Sequence, residues 1–151
     1  MLTVLLAADD PKSLAEALEV LVPSAIDGLV RQVVVSVGPE PVLTILAEDA
    51  GAEIVSGEGS LGRRLAAAAA LARSPWLLAP AGLPVDWRPR VEGHFNKGGP
   101  ARFAGGLLDG FSARPRGLLV PRTAYDAAGG FRDVEAAEAD LVKRLGRIAR
   151  L

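Results

Sequence analysis

Apolar residues fall along this chain in short unbroken runs that alternate with stretches of helical spacing. Thr3–Ala7 is one such run, of the length and character expected of a strand covered on both faces. Asp10-Pro11 follows, an N-cap residue and a first-turn proline. Leu14, Leu18, Leu21 and Val22 then recur at helical spacing, which predicts an amphipathic helix over Pro11–Leu21. Val33–Val37 reads as a second buried strand, ending in the loop Gly38-Pro39-Glu40-Pro41. The next helix has Val42, Ile45 and Leu46 on its inner face and stops at Gly51. Ala52–Ser56 predicts a third strand. Beyond the flexible loop Gly57–Gly62, Arg63–Ala72 predicts an alanine-rich helix and Trp76–Ala79 a fourth strand. Strand and helix alternate throughout, which predicts a parallel sheet with right-handed crossovers.

The pattern changes at Pro80. From there to Arg116, Pro, Gly and Arg are frequent and apolar patches such as Arg102–Leu108 are short, which predicts a long loop region. Gly117–Val120 reads as a last strand. Val134–Ala149, with Leu141, Val142, Leu145 and Ile148 in helical register, reads as a terminal helix. No repeat and no linker interrupts the order, so residues 1–151 read as one domain, long enough to bury a core.

Composition narrows the chemistry more than the fold. Half the residues are hydrophobic and only 5% are aromatic, so Leu, Val, Ile and Ala must build the core. A net charge of -1 gives no basic stripe for a nucleic-acid partner. Without Cys, and with one His, the chain has no thiol nucleophile, disulfide framework or multi-histidine metal site. The apolar start of the chain lacks a basic n-region, and no apolar stretch is long enough for a membrane span, so the expectation is a cytoplasmic protein.

The loops carry a narrower likeness. Val4–Leu14 with its Asp9-Asp10 turn, Val33–Val37, and Leu46-Ala47-Glu48-Asp49-Ala50-Gly51-Ala52-Glu53-Ile54-Val55 come first. Gly62-Arg63-Arg64-Leu65 and Trp76-Leu77-Leu78 follow. Gly117–Arg122, Ala128-Gly129-Gly130-Phe131 and Glu138–Leu145 complete the series. In this order and spacing the chain resembles the family-2 glycosyltransferases of GT-A fold, and within them the short bacterial transferases associated with radical-SAM and arsenosugar pathways. The resemblance spans nearly the whole chain. It implies a Rossmann-like α/β fold with a mostly parallel sheet flanked by helices. It also implies a nucleotide-diphosphate sugar as donor, an acceptor the sequence does not name, and a possible homo-oligomer.

By the same resemblance Asp9 and Asp10 border the nucleoside pocket, although Asp10 is equally suited to capping the first helix. Ser36 stands near the place where the family has an Asp for the base or ribose; as a hydroxyl it offers one hydrogen bond, or it is a plain strand-to-loop residue. Arg63 and Arg64 after the Gly-rich loop suit a phosphate at a helix start, or are two solvated arginines. Glu138 aligns with the catalytic base, with Glu135 and Asp140 as neighbours; the alternative places all three on the solvated face of the last helix. Family members hold Mg²⁺ or Mn²⁺ on the diphosphate with an Asp motif after the fourth strand. Here that segment reads Ala79-Pro80-Ala81-Gly82-Leu83-Pro84-Val85-Asp86-Trp87, so no metal-ligating residue is assigned and Asp86 reads as a turn residue. His94 is expected in an exposed polar loop. Trp76 is expected in the core, and Trp87 either stacks on a ligand or covers the core. Arg102, Arg114, Arg116 and Arg122 either gather around a diphosphate or are scattered over the surface. The departures keep a second class open, a non-catalytic nucleotide-sugar-binding or protein-interaction module on the same scaffold. A nucleotidyltransferase is disfavoured, because Ala7-Ala8-Asp9-Asp10 lacks its Gly-rich signature.

Overall fold

The computed structural model describes residues 1–104 and 114–151. Part of the Arg102–Leu108 patch therefore lies outside the described residues. The strands are β1 (Leu2–Ala8), β2 (Val30–Val37), β3 (Glu53–Ser56), β4 (Trp76–Ala79), β5 (Ala101–Arg102), β6 (Leu118–Pro121) and β7 (Ala149–Arg150). The helices are α1 (Pro11–Ile26), α2 (Pro41–Asp49), α3 (Leu61–Ala70), α4 (Trp87–Phe95), α5 (Arg122–Ala127) and α6 (Ala137–Leu145). The strands form one seven-stranded sheet in the order β3-β2-β1-β4-β6-β5-β7. Pairing is parallel from β3 to β4 and between β5 and β7, and β6 runs against both of its neighbours.

Helices cover both faces, which is why the central strands are continuous apolar runs. Leu2, Val4, Leu6 and Ala8 of β1 face a cluster with Leu14, Leu18 and Leu21 of α1, Leu43 and Ala47 of α2, and Trp87 and Val91 of α4. Leu5, Val34, Leu77, Leu118 and Val120 face the opposite cluster, with Leu65 and Ala68 of α3, Tyr125 of α5 and Leu141 of α6.

Several boundaries and faces depart from the sequence pattern. Helix α1 runs five residues past Leu21 despite Pro23, because buried Ser24 continues its inner face, while Val22 points to solvent. In α2 the inner face is Leu43 and Ala47, one turn apart, and Val42 and Ile45 are exposed. Helix α3 starts two residues before Arg63, because Ser60 accepts the Arg63 amide and caps it. The stretch expected as loop contains α4 and β5. In α4 Trp87, Val91 and His94 are buried at helical spacing. His94 is therefore not an exposed loop residue. Its Nε2 lies 3.0 Å from the Gly99 carbonyl, and its ring meets Trp76 edge-on at 6.1 Å. Trp87, 2% exposed, covers the core and does not stand at a mouth. The terminal helix is shorter at both ends than expected. Residues before it serve α3, Gly146 turns the chain at φ +76°, and β7 then pairs with β5. Among the described residues no helix is long and apolar enough to cross a membrane.

The contrast between Trp87 and fully exposed Val85 tests the reassigned segment. Trp87→Ala is expected to lower unfolding free energy by roughly 3–5 kcal/mol in a denaturant melt. Val85→Ala should stay within about 0.5 kcal/mol of the parent.

Candidate functional site

The strand order reverses between β1 and β4, since β1 leads to β2 and β3 on one side while β4 lies on the other. In open α/β sheets the crevice for a ligand lies at the carboxyl ends of the strands around such a point. Asp9-Asp10, Ser36, the Gly57 turn and Ala79-Pro80 all sit at these ends.

Arg64 organises this region. Its Nη1 donates to Asp9 Oδ1 at 2.6 Å, and its Nη2 to the carbonyls of Ala8 at 2.8 Å and Ser36 at 3.0 Å. The side chain is buried, and three acceptors on two strand ends compensate its lost hydration. Asp9, Ser36 and Arg64, read separately from the sequence, are thus brought together. Two buried polar atoms in this cluster, Ser36 Oγ and Arg64 Nε, have no hydrogen-bond partner. Gly57 packs on both. A Cβ there would stand 1.8 Å from Ser36 Oγ and 3.1 Å from Arg64 Nε, so a side chain at this turn would push into the cluster. Beside it opens a cavity of about 320 Å³ lined by Gly57, Glu58, Arg63 and Arg64. Sequence reasoning missed Gly57, for which a glycine opening the loop after β3 was the available sign.

Asp10 serves α1. Its Oδ2 accepts from the Ser13 amide at 2.8 Å and the Ser13 hydroxyl at 2.7 Å. These bonds hold its carboxyl below the ordinary value of 3.8.

The start of α3 is not open to a phosphate, contrary to the expectation from the Gly-rich loop. Residues 132–135 close it. The Gly62 amide donates to the Val134 carbonyl at 3.0 Å, the Leu61 amide reaches Glu135 Oε2 at 3.5 Å, and Ser60 Oγ donates to Asp133 at 2.6 Å. The approach needs a glycine, because a Cβ on residue 62 would stand 1.8 Å from the Arg132 carbonyl oxygen. Arg63 is exposed beside the cavity, so only its side chain remains to meet an anion.

Glu138 is not on a solvated face. It is 6% exposed, and its carboxylate accepts from Arg102 Nε at 2.7 Å, from the Arg116 amide at 3.0 and 3.1 Å, and from the Gly117 amide at 2.9 Å. Arg102 Nη2 completes a two-pronged ion pair at 2.6 Å. This cluster joins α6 to β5 and to the entry of β6. Arg102, grouped with scattered arginines in the sequence, is its partner. Arg122 lies elsewhere, donating to the Ala69 and Ala72 carbonyls at the end of α3. Asp140 pairs with Arg144 at 2.6 Å.

Among the described residues a divalent cation finds no fitting set of ligands. No carboxylate follows β4 before Asp86, and Asp86 is held by Arg90 at 2.6 Å. Among the described residues no group of three His, Asp or Glu side chains could hold a metal.

This architecture is that of the GT-A glycosyltransferases. The particular structures it resembles include glucosyl-3-phosphoglycerate synthase from Mycobacterium tuberculosis, solved with Mn²⁺, UDP and glucosyl-3-phosphoglycerate. That likeness has a TM-score of 0.76 at 17% identity and covers 99% of this chain and 68% of the other. The same synthase with Mn²⁺, UDP-glucose and phosphoglyceric acid gives 0.74 at 17% identity, covering 99% and 68%. A further mycobacterial protein gives 0.77 at 18% identity, covering 100% of this chain and 64% of that one. The chain thus spans about two thirds of the length of these structures. No protein-family model and no curated protein matches it.

Two measurements test the site as built. Arg64→Lys keeps a charge but cannot fork to three acceptors, and should lose roughly 1–3 kcal/mol of stability in a urea melt. The Asp10 contribution has a defined sign, because its folded value lies below its unfolded one. It is full above pH 3.8 and fades as pH falls through the lower folded value. Asp10→Ala should therefore melt below the parent at pH 7, and the gap should close on strong acidification.

Proposed function

We propose that the protein binds a nucleotide-diphosphate sugar at the ends of β1–β3 and acts as a glycosyltransferase-type protein toward an acceptor. The observation that carries this is the Asp9–Arg64–Ser36 cluster at the strand ends, with Arg63 and Arg64 on the wall of the cavity beside it, on a GT-A scaffold. In this reading Arg64 meets the nucleoside from the cavity wall, Asp9 and the Ser36 carbonyl orient Arg64, and Asp10 fixes the turn by capping α1. Arg63 meets the diphosphate from the cavity rim. UDP sugars are the first donors to consider, because the synthase structures contain UDP and UDP-glucose. The narrower kinship with radical-SAM and arsenosugar-associated transferases rests on motif order, and residues 1–151 serve as one unit.

Metal does not enter this scheme, since among the described residues no carboxylate set could hold it. Glu138 is the proposed base by alignment. A general base needs an oxygen free to reach the acceptor proton, so Arg102 would have to release Glu138 before it could act. That saturated carboxylate favours a second reading, a non-catalytic nucleotide-sugar-binding module that keeps the donor half of the scaffold.

Calorimetric titration with UDP, UDP-glucose and GDP-mannose, each with and without Mn²⁺, tests the donor site. Saturable binding of at least one donor is expected, unchanged by Mn²⁺ within about twofold. In Arg64→Lys it should weaken at least tenfold, about 1.4 kcal/mol. Absence of binding by folded protein would remove the donor-binding reading. Release of UDP from the bound donor in the presence of an acceptor separates transferase from binding module.

A further inference from the structure

A second cavity, of about 420 Å³, opens on the other side of β1. It lies between α1 and the segment just beyond β4, where the strand order reverses. Its walls are mostly apolar, from Leu6, Ala17, Val20, Pro80 and Leu83, and its volume is in the range of small-molecule sites. Gly82 borders it, and a Cβ there would meet no atom within 4 Å. Val20, on its wall, leaves a large apolar surface in water. A smaller pocket of about 80 Å³ shares Leu6, Ala7, Ser13 and Ala17 with it and ends at Asp9 and Asp10. Glu16 stands on the wall of the larger cavity. Lys12 lies 4.0 Å from Glu16 as a solvated pair and lines neither cavity. Among the described residues lining the two spaces, three are acidic and none is basic.

We infer that this continuous crevice binds an amphiphile with an aliphatic body and an uncharged or cationic head, an alcohol or an amine. The apolar body removes the walls of the larger cavity from water, and the head meets Ser13 and the acidic end. A phosphate or carboxylate head is disfavoured, because carboxylates line the space while Lys12 and Arg64, the partners of Glu16 and Asp9, line neither pocket. The crevice ends at Asp9, beside the proposed nucleoside cluster. Resting on the donor reading above, the amphiphile is the acceptor, and its hydroxyl or amine is the group presented to the sugar.

Octanol, octylamine and octanoate, equal in chain length, are the probes, titrated below their aggregation limits into the full chain and followed by calorimetry and amide NMR shifts. Octanol and octylamine should saturate, with octanoate at least tenfold weaker, and shifts should centre on Ser13, Ala17 and Gly82. Glu16→Lys, at an exposed position, should reverse the order of octylamine and octanoate. Ala17→Phe should fill the crevice and abolish binding of all three. Equal affinity for the three heads, shifts elsewhere, no saturation, or an unchanged order in Glu16→Lys would each overturn the inference. UDP titrations on the same samples separate the two proposals. Amphiphile binding without donor binding removes only the donor reading and the acceptor role. Donor binding without amphiphile binding removes only this inference.

Discussion

A guanidinium taken out of water costs several kcal/mol unless its donors are met, and Arg64 is buried at the carboxyl ends of β1 and β2. It is met by two strand-end carbonyls and one carboxylate. That requirement propagates outward. The ends of β1 and β2 must stay in register, so that Ala8 and Ser36 present their carbonyls to one side chain. Helix α3 must turn the face of Gly62, Arg64, Leu65 and Ala68 inward, so that Arg64 reaches the strand ends. The turn after β3 must carry a glycine, since the space a side chain would take is already filled. The geometry of the crevice follows from satisfying one charge.

Glu138 imposes the same discipline on the other half of the sheet. Its carboxylate gathers a side chain from β5 and two amides at the entry of β6, and so fixes the one strand that runs against its neighbours. A charge used as a structural anchor is not at the same time a free participant in proton transfer. The two halves of the sheet are thus each tied together by one buried charge, Arg64 at the ends of β1 and β2 and Glu138 at β5 and β6.

β1, β2 and β4 were legible because each has an apolar core stretch buried on both faces, whereas the half-buried edge strand β3, Glu53–Ser56, was marked by the Gly51 stop before it and the Gly57 turn after it. Helix faces were less so. Five of the six residues from Val42 to Ala47 are apolar, so periodicity could not tell that Leu43 and Ala47 turn inward. In α4, Pro89, Gly93 and several charges hide the spacing of Trp87, Val91 and His94. The paired arginines show the limit for the site. Successive helical residues point about 100° apart, so Arg64 enters the cluster while Arg63 faces water, and the Gly-Arg segment alone does not say which. The contact of Asp9 and the Ser36 carbonyl with Arg64 joins three separate segments and has no local sign in the sequence, whereas the capping of α1 by Asp10 does. The partners of Glu138 come from distant elements that no local pattern connects.

The closure of α3 by residues 132–135 also bears on how the chain acquires its shape during synthesis. Ser60 and Asp133, which meet at the head of that helix, are 73 residues apart in sequence. At 5–20 residues per second the ribosome takes roughly 4–15 s to make the stretch between them. Throughout that interval the nascent α3 has its Ser60 cap but no partner for the Leu61 and Gly62 amides and no α6 to cover its alanine face. The apolar segments already made must wait in a partly exposed intermediate, and the order of assembly is set by the last quarter of the chain to emerge.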